Sequence, residues 1–403
     1  MILFNLFWQK LNNLTFGAMV KSIRPLVLFC GCLLTLFWGC GEKKHAEIVQ
    51  KDSVGSAIKY ASGFIIEKKQ DYTVLEVTSP WPGAETHFKY ALVPKEKLAS
   101  MTFPKDAYDA IVGTPVENIV LTSTTHIAPL EALGELKTLV GFPDTDYISS
   151  SAARKLVDEG QIKDLGMNEA INTEMVLLLH PDLIIGFSIN EDNNSYDIIK
   201  RAGIPVIYNG DWVEQTPLGK AEWIKFFAPF FQKEVVADSI FKEIETSYLE
   251  AVKLAKTAKN KPSVLTGGLY KDVWYVAGGK SWMAQFLEDA NSDYLWADTS
   301  ETGSIGLSLE SVLEKAQNAD FWFNPSAETS YTNLENANPH HRKFAAFTNK
   351  KIYSNAMEKG AKGGLIFYEQ APQRPDIVLK DFIAILHPEL LPDHELRFIK
   401  PLE

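Results

Sequence analysis

KEVVADSIFKEIETSYLEAVKLAKTA, residues Lys233–Ala258, is the stretch whose reading decides the fold. Val236, Ile240, Ile244, Tyr248, Val252 and Ala255 recur at helical spacing with charges between them, and no Pro or Gly interrupts the run. At 1.5 Å per residue such a helix reaches roughly 40 Å, enough to pass from one lobe to another. Strand signals are missing from about Lys220 to Lys259, and they return on both sides.

Upstream, Ile119–Leu121 reads as a strand and Ile127–Leu136 as helical. A helix through Val176–Leu179 leads to a strand at Leu183–Ile185, and a helix through Ile198–Ile199 leads to one at Pro205–Ile207. Downstream of Pro262, strands are expected at Val264–Leu265, Val273–Val276, Phe321–Phe323 and Lys351–Tyr353. Helices are expected at Trp282–Leu287, Leu309–Ala316 and Ile377–Leu386. The alternation predicts an α/β fold of two mostly parallel-sheet lobes joined by one long backbone helix. Phe64–Ile66, Tyr72–Val77 and His87–Val93 add an N-terminal β-rich extension, to which the sequence assigns no role. A short internal echo fits two related lobes. Asn172-Thr173-Glu174 precedes Asp182-Leu183-Ile184, and Ser308-Leu309-Glu310 precedes Asp320-Phe321-Trp322.

The N-terminus supplies an address. Lys21 and Arg24 precede an apolar run, Leu26–Trp38, that is too short for a hydrocarbon core needing about 20 helical residues. It reads as a secretory signal ending at Gly39-Cys40, a lipoprotein-like box in which Trp38 is an unusual occupant. A start at Met19 gives a more typical length, and an uncleaved anchor is the alternative. Cleavage before Cys40 removes Cys30 and Cys32 and leaves only the lipidated thiol, which suits an oxidising compartment. The expected organisation is a signal peptide at 1–39, a lipidated tether at 40–60, an N-terminal lobe at 61–215, a connecting helical segment at 216–260 and a C-terminal lobe at 261–403.

Charge excludes one class of partner. The chain carries 40 basic and 51 acidic residues; loss of Lys10, Lys21 and Arg24 leaves 37 against 51, a net charge of −14. Such a body repels phosphate backbones and anionic lipid, so nucleic acid is not an expected partner. Membrane association is expected only through the lipid at Cys40. Catalytic signatures are missing: no G-x-S-x-G, phosphate loop, G-x-G-x-x-G or H-E-x-x-H occurs.

Ile119 through Thr125-His126 into Leu130-Glu131-Ala132-Leu133-Gly134 is similar to the opening of the helical-backbone (class III) periplasmic solute-binding proteins. These serve ABC importers of iron-siderophore complexes, haem or cobalamin. The similarity continues through Leu179-His180-Pro181-Asp182-Leu183-Ile184, Gly203-Ile204-Pro205-Val206, Tyr294-Leu295-Trp296 and Arg374-Pro375-Asp376, covering roughly 119–390. The resemblance implies a binding protein without catalytic residues, cofactor or resident metal. Its ligand, itself a metal complex of the siderophore type or a relative such as cobalamin, is held between two rigid lobes and passed to a permease-ATPase complex. The expected location is the periplasm, with the chain exported and membrane-anchored. The resemblance also implies that one Glu on each lobe docks on the permease, and the matching positions are Glu174 and Glu310. A Glu in the first helical turn behind an Asn or Ser cap also gains about 0.3–1 kcal/mol from the helix dipole, and the two roles are compatible.

Ligand-binding candidates follow from placement at strand ends, where helix N-termini offer free N–H groups. Thr124, Thr125 and His126 follow a strand and open a helix, although the threonines also suit a capping role. Tyr270 and Trp282 flank glycine turns, and Thr302, Ser304 and Tyr368 are weaker candidates. Only Arg154, Arg201, Arg342, Arg374 and Arg397 remain after the signal. That scarcity favours a neutral or modestly charged complex, such as a hydroxamate siderophore or cobalamin, over a highly anionic one. The reading from another class is a periplasmic chelatase or metal-dependent hydrolase, which requires His or Asp/Glu ligands converging in the cleft, for example His126 with His340 or His341.

Overall fold

A computed structural model describes residues 57–403; the signal segment, Cys40 and most of the tether lie outside the described residues. The β-rich extension forms a sheet of four strands, β1 (Phe64–Lys68), β2 (Thr73–Val77), β3 (Phe88–Pro94) and β4 (Ala110–Thr114). The first three are an antiparallel meander, and β4 joins β3 in parallel. Because strand side chains alternate, Leu75, Val77, Tyr90, Leu92 and Val112 share one buried face. Phe64 joins them and meets the Trp223 ring at 4.6 Å.

The N-terminal lobe is built on β5 (Ile119–Leu121), β6 (Leu139–Phe142), β7 (Lys163–Asp164), β8 (Leu183–Gly186) and β9 (Val206–Tyr208). Their order is β7-β6-β5-β8-β9 and every pairing is parallel. The C-terminal lobe carries β10 (Ser263–Thr266), β13 (Asp293–Tyr294), β15 (Phe321–Phe323), β16 (Ile352–Ser354) and β17 (Lys400–Pro401). Their order is β13-β10-β15-β16-β17, parallel except at β17. A small antiparallel sheet, β11 (Gly268–Tyr270), β12 (Val273–Ala277) and β14 (Ser304–Leu307), projects from the end of β10. The α/β class with two parallel-sheet lobes is therefore the observed one.

The internal echo has a physical basis. Asp182 accepts hydrogen bonds from the amides of Glu117 (2.7 Å) and Asn118 (3.1 Å), which lead into β5. Asp320 accepts from the amide and hydroxyl of Ser263, both at 2.8 Å, at the start of β10. In each lobe a carboxylate ahead of one strand ties down the opening of its neighbour.

The backbone helix runs from Glu234 to Ala255, a length of about 33 Å. Its buried stripe is Ala237, Phe241, Ile244, Tyr248, Ala251 and Ala255. This corrects the expected stripe at its start, since Val236 is 40% exposed. Alanine carries a weak apolar signal, yet its small side chain lets the helix lie against helix Pro375–Leu386. Ala237, Phe241 and Ile244 pack into the core of the N-terminal lobe, and Tyr248, Ala251 and Ala255 into that of the C-terminal lobe. Just upstream, Glu222 is fully buried and its carboxylate gathers the amides of Lys59, Tyr60 and Ala61. The Tyr60 hydroxyl bonds Glu245 of the backbone helix at 2.5 Å.

The extension covers the free edge of the N-terminal lobe. β9 has no neighbour beyond it, and the Tyr208 amide donates instead to the Tyr90 hydroxyl at 3.0 Å. A Cβ at Gly210 would fall 2.0 Å from the Ser79 carbonyl oxygen, so glycine permits this close approach. Replacing Tyr90 with Phe strands a buried N–H. Urea unfolding of Tyr90→Phe is expected to show a loss of about 1–3 kcal/mol; a change below about 0.5 kcal/mol would mean that the edge is not held by this bond.

Candidate functional site

All five strands of the N-terminal sheet, and all but β17 of the C-terminal one, point their carboxyl ends the same way within each lobe, which puts the functional loops at those ends. Ser123–His126 follow β5, Phe187 follows β8, and Asn209–Glu214 follow β9. From the other lobe, the loop after β16 leads into helix Ile366–Gln370, which packs on the Thr124–His126 turn.

The lobes are joined at these faces by a carboxylate. Glu369 is 1% exposed and accepts from the amides of Ser149 and Ser150, each at 2.6 Å. Ser150 is the N-cap of helix Ser151–Asp158, so the positive end of that helix faces the charge. A Cβ at Gly364 would fall 2.1 Å from the Tyr147 carbonyl oxygen, so the two lobes meet backbone to backbone beside the clasp. Burial pushes the Glu369 carboxyl up to about 7, with the two amides opposing that rise and Glu131 adding to it.

Helix Pro217–Glu222 packs against elements of both lobes and is capped by Thr216, whose hydroxyl accepts from the Gly219 amide. Lys220 is the half-buried residue on it. Its ammonium donates to the carbonyls of Asp211 (3.0 Å) and Trp212 (3.3 Å) and lies 5.2 Å from the centre of the Trp282 ring of the other lobe. Burial lowers its pKa to about 8 against the opposing pull of Asp211 and Glu214. Phe187 and Trp212 pair at 5.4 Å in the N-terminal lobe, and Trp282 stands against Phe286 and Phe367 in the other. Partly exposed aromatic rings can hold a flat or apolar solute by contact.

Thr124, Thr125, Trp282 and Tyr368 are gathered near this junction. The threonines are half-buried, and Tyr368 is 47% exposed on the helix that packs on their turn. His126 is corrected: it is fully enclosed beneath the turn, 5.6 Å from the Phe227 ring and 3.9 Å from Asp211, and has no surface to offer a ligand. Its pKa is lowered by burial, which Asp211 opposes. Tyr270 and Ser304 are not brought together. They pair with Val273 and Ala277 at opposite ends of β12, about 13 Å apart along the strand, and Thr302 is exposed beyond Ser304. His341 lies in the C-terminal core, edge-on to Trp274 and Trp322 with Nδ1 at 2.7 Å from the Leu334 carbonyl, while His340 is exposed. The example pairing of that reading is not formed, because His126 and His341 occupy different cores.

Glu174 and Glu310 are both exposed in the first turns of helices Thr173–Leu179 and Leu309–Ala316, behind the caps Asn172 and Ser308. Each helix feeds the amino end of a strand, so each Glu sits on the carboxyl-end side of its sheet. Sequence reasoning missed Lys220, Glu369, Phe187 and Trp212. Only Trp212 carried a signal, as a large aromatic in a polar turn directly after a strand.

A family model described as periplasmic binding protein matches residues 119–355. An uncharacterized lipoprotein of Methanocaldococcus jannaschii is 26% identical over 410 residues, spanning 94% of this chain and 96% of its own. Among solved structures, a periplasmic haem-binding protein from Pseudomonas aeruginosa is similar with a TM-score of 0.54 at 17% identity, covering 72% of this chain and 98% of that one. A periplasmic binding protein from Veillonella parvula reaches 0.53 at 19% identity, covering 83% and 98%. At these identities the likeness is one of fold.

The clasp predicts a pH slope. The folded-state pKa of Glu369 lies above its ordinary value of 4.5, so the native state keeps a proton that the unfolded chain releases. Its contribution is complete below about 4.5 and is lost as pH rises through about 7. Melting temperatures across that window are expected to fall with pH more steeply in the unmodified protein than in Glu369→Gln; parallel curves would contradict the assignment.

Proposed function

The chain belongs to the periplasmic binding protein family, in its helical-backbone class, and from that membership we propose that it captures an iron complex of the siderophore type, or a related metallated ligand, and delivers it to an ABC permease. The family serves ABC importers and acts by binding. The observation that carries the finer reading is the set of partly exposed aromatic rings at the junction of the lobes. Phe187 and Trp212 on one side and Trp282 on the other flank the Lys220 ammonium at the carboxyl ends of two parallel sheets. Aromatic walls suit a bulky, partly apolar complex. The neighbour from Pseudomonas aeruginosa binds haem, which supports a metallated ligand here without selecting one. Cobalamin is the alternative cargo.

Anchoring at Cys40 is part of the same proposal. Its support is the signal-like run before Cys40 together with the lipoprotein status of the archaeal relative. Among the described residues no helix is long and apolar enough to cross a membrane. Glu174 and Glu310 are the proposed contacts to the permease, one on each lobe.

Two experiments test this. Titration of the full chain with ferric siderophores, haemin and cyanocobalamin, followed by tryptophan fluorescence, should give saturable one-to-one binding without chemical change for at least one of them. Trp282→Ala should weaken that binding about tenfold or more; consumption of the ligand would point to an enzyme instead. Glu174→Ala and Glu310→Ala should keep full ligand affinity yet lower stimulation of the importer ATPase, and unaltered stimulation in the double variant would remove them from the docking face.

A further inference from the structure

We propose that the C-terminal lobe carries a second binding site, for an anionic amphiphile. Its acyl chain enters a cavity at the amino ends of the sheet, and its acidic head meets Lys261 and Lys351.

The cavity is open to solvent and has a volume of about 910 Å³, inside the range of about 300–1,000 Å³ for small-molecule pockets. Pro262 just before β10, Asp320 just before β15 and Lys351 just before β16 all line it. It therefore sits at the strand ends opposite those that lead to the loops described above. Neither Trp282 nor Glu310 borders it, so it is separate from the surfaces proposed for cargo and permease.

Its depth is apolar because the covering helix stops short. Helix Pro375–Leu386 packs on the sheet through Phe382, whose ring meets that of Phe323 at 4.9 Å. Past the end of that helix, the Phe321 and Tyr353 rings, 6.3 Å apart, face the cavity together with Leu386, Leu391 and Leu396. The loop that forms this outer wall is pinned at two points. His387 donates from Nε2 to the Ala290 carbonyl at 3.0 Å, and His394 donates from Nε2 to the buried Asp381 carboxylate at 2.7 Å. The walls are thus set before any ligand arrives, and little chain freedom remains to be lost on binding.

The mouth is cationic on a chain whose net charge is −11. Lys261 is exposed, and the Lys351 ammonium stands 4.7 Å from the centre of the Phe321 ring. Neither forms an ion pair among the described residues. β10 and β16 both flank β15, which sets their backbones about 10 Å apart. Two flexible lysines reaching inward across that span can share one carboxylate or phosphate head. Asp320 lies between them, but one of its oxygens already takes both the amide and the hydroxyl of Ser263. Glu389 is exposed at the rim and pairs with neither lysine. A bare anion would leave the apolar depth hydrated, and a neutral hydrocarbon would leave the ammoniums unmatched. An amphiphile with an acidic head satisfies both.

The test titrates the full chain calorimetrically with laurate, below its micelle concentration, and with 1-dodecanol. Laurate should bind saturably, one to one, and at least about tenfold tighter than the alcohol. The double variant Lys261→Gln/Lys351→Gln alters exposed side chains only. It should bring laurate down to the affinity of dodecanol and leave dodecanol within about twofold. Ala384→Trp, which fills the cavity, should weaken both probes. Trp282→Ala should change neither, so failure here and failure of the cargo reading are told apart. Vesicles of phosphatidylglycerol and phosphatidylcholine identify the source of the head group. A preference for phosphatidylglycerol that shrinks in the double variant supports the site with a bilayer lipid as its ligand. Equal partition of the two proteins, with laurate bound as described, supports it with a free amphiphile. The proposal is overturned if laurate and dodecanol bind alike, if laurate binding survives the double variant or is lost in Trp282→Ala, or if neither laurate nor the vesicles register the lysines.

Discussion

A single helix is common property of two hydrophobic cores. Ile244 is buried with Phe226, Phe227 and Phe230, whereas Tyr248, one turn later, is buried with Phe286, Leu287 and Phe382. The boundary between the lobes thus falls within one turn of unbroken helix. Bending there breaks main-chain hydrogen bonds and uncovers apolar surface on both sides. The Tyr248 hydroxyl adds a bond to Asp289 at 2.5 Å that fixes the helix rotation relative to the second core. Everything that faces the opening inherits its position from this rod.

A second tie between the lobes is the Glu369 clasp. The lobes are held at one end by shared helix and at the other by a carboxylate bonded to two amides. Rigid placement suits a protein that must present one surface to a solute and another to a membrane complex.

The fold was legible in the sequence because its signals are additive and local. Strands such as Leu183–Gly186 are short apolar runs, and the backbone helix is long and free of Pro and Gly. β4 and β14 escaped notice because Gly113 and Gly306 dilute their apolar character. The site was less legible. Lys220 and Glu369 gain their meaning from partners in the opposite lobe or in a distant loop, and local sequence carries no trace of such pairings. Conversely, His126 looked accessible because it follows a strand, where only tertiary packing against Phe227 decides that it is enclosed. Within the strand expected at Val273–Val276, Trp274 is fully buried with its indole N–H on the Thr266 carbonyl, and Tyr275 takes the outer face.

Glu222 gathers the chain at Lys59–Ala61 onto the seam between the lobes, and Tyr60 reaches Glu245 on the rod itself. A tug arriving along the polypeptide from upstream is therefore delivered to the stiffest part of the molecule, close to its pivot line. Applied there, tension has almost no lever arm with which to twist one half against the other. The angle between the halves is thereby insulated from pulls on the chain ahead of Lys59.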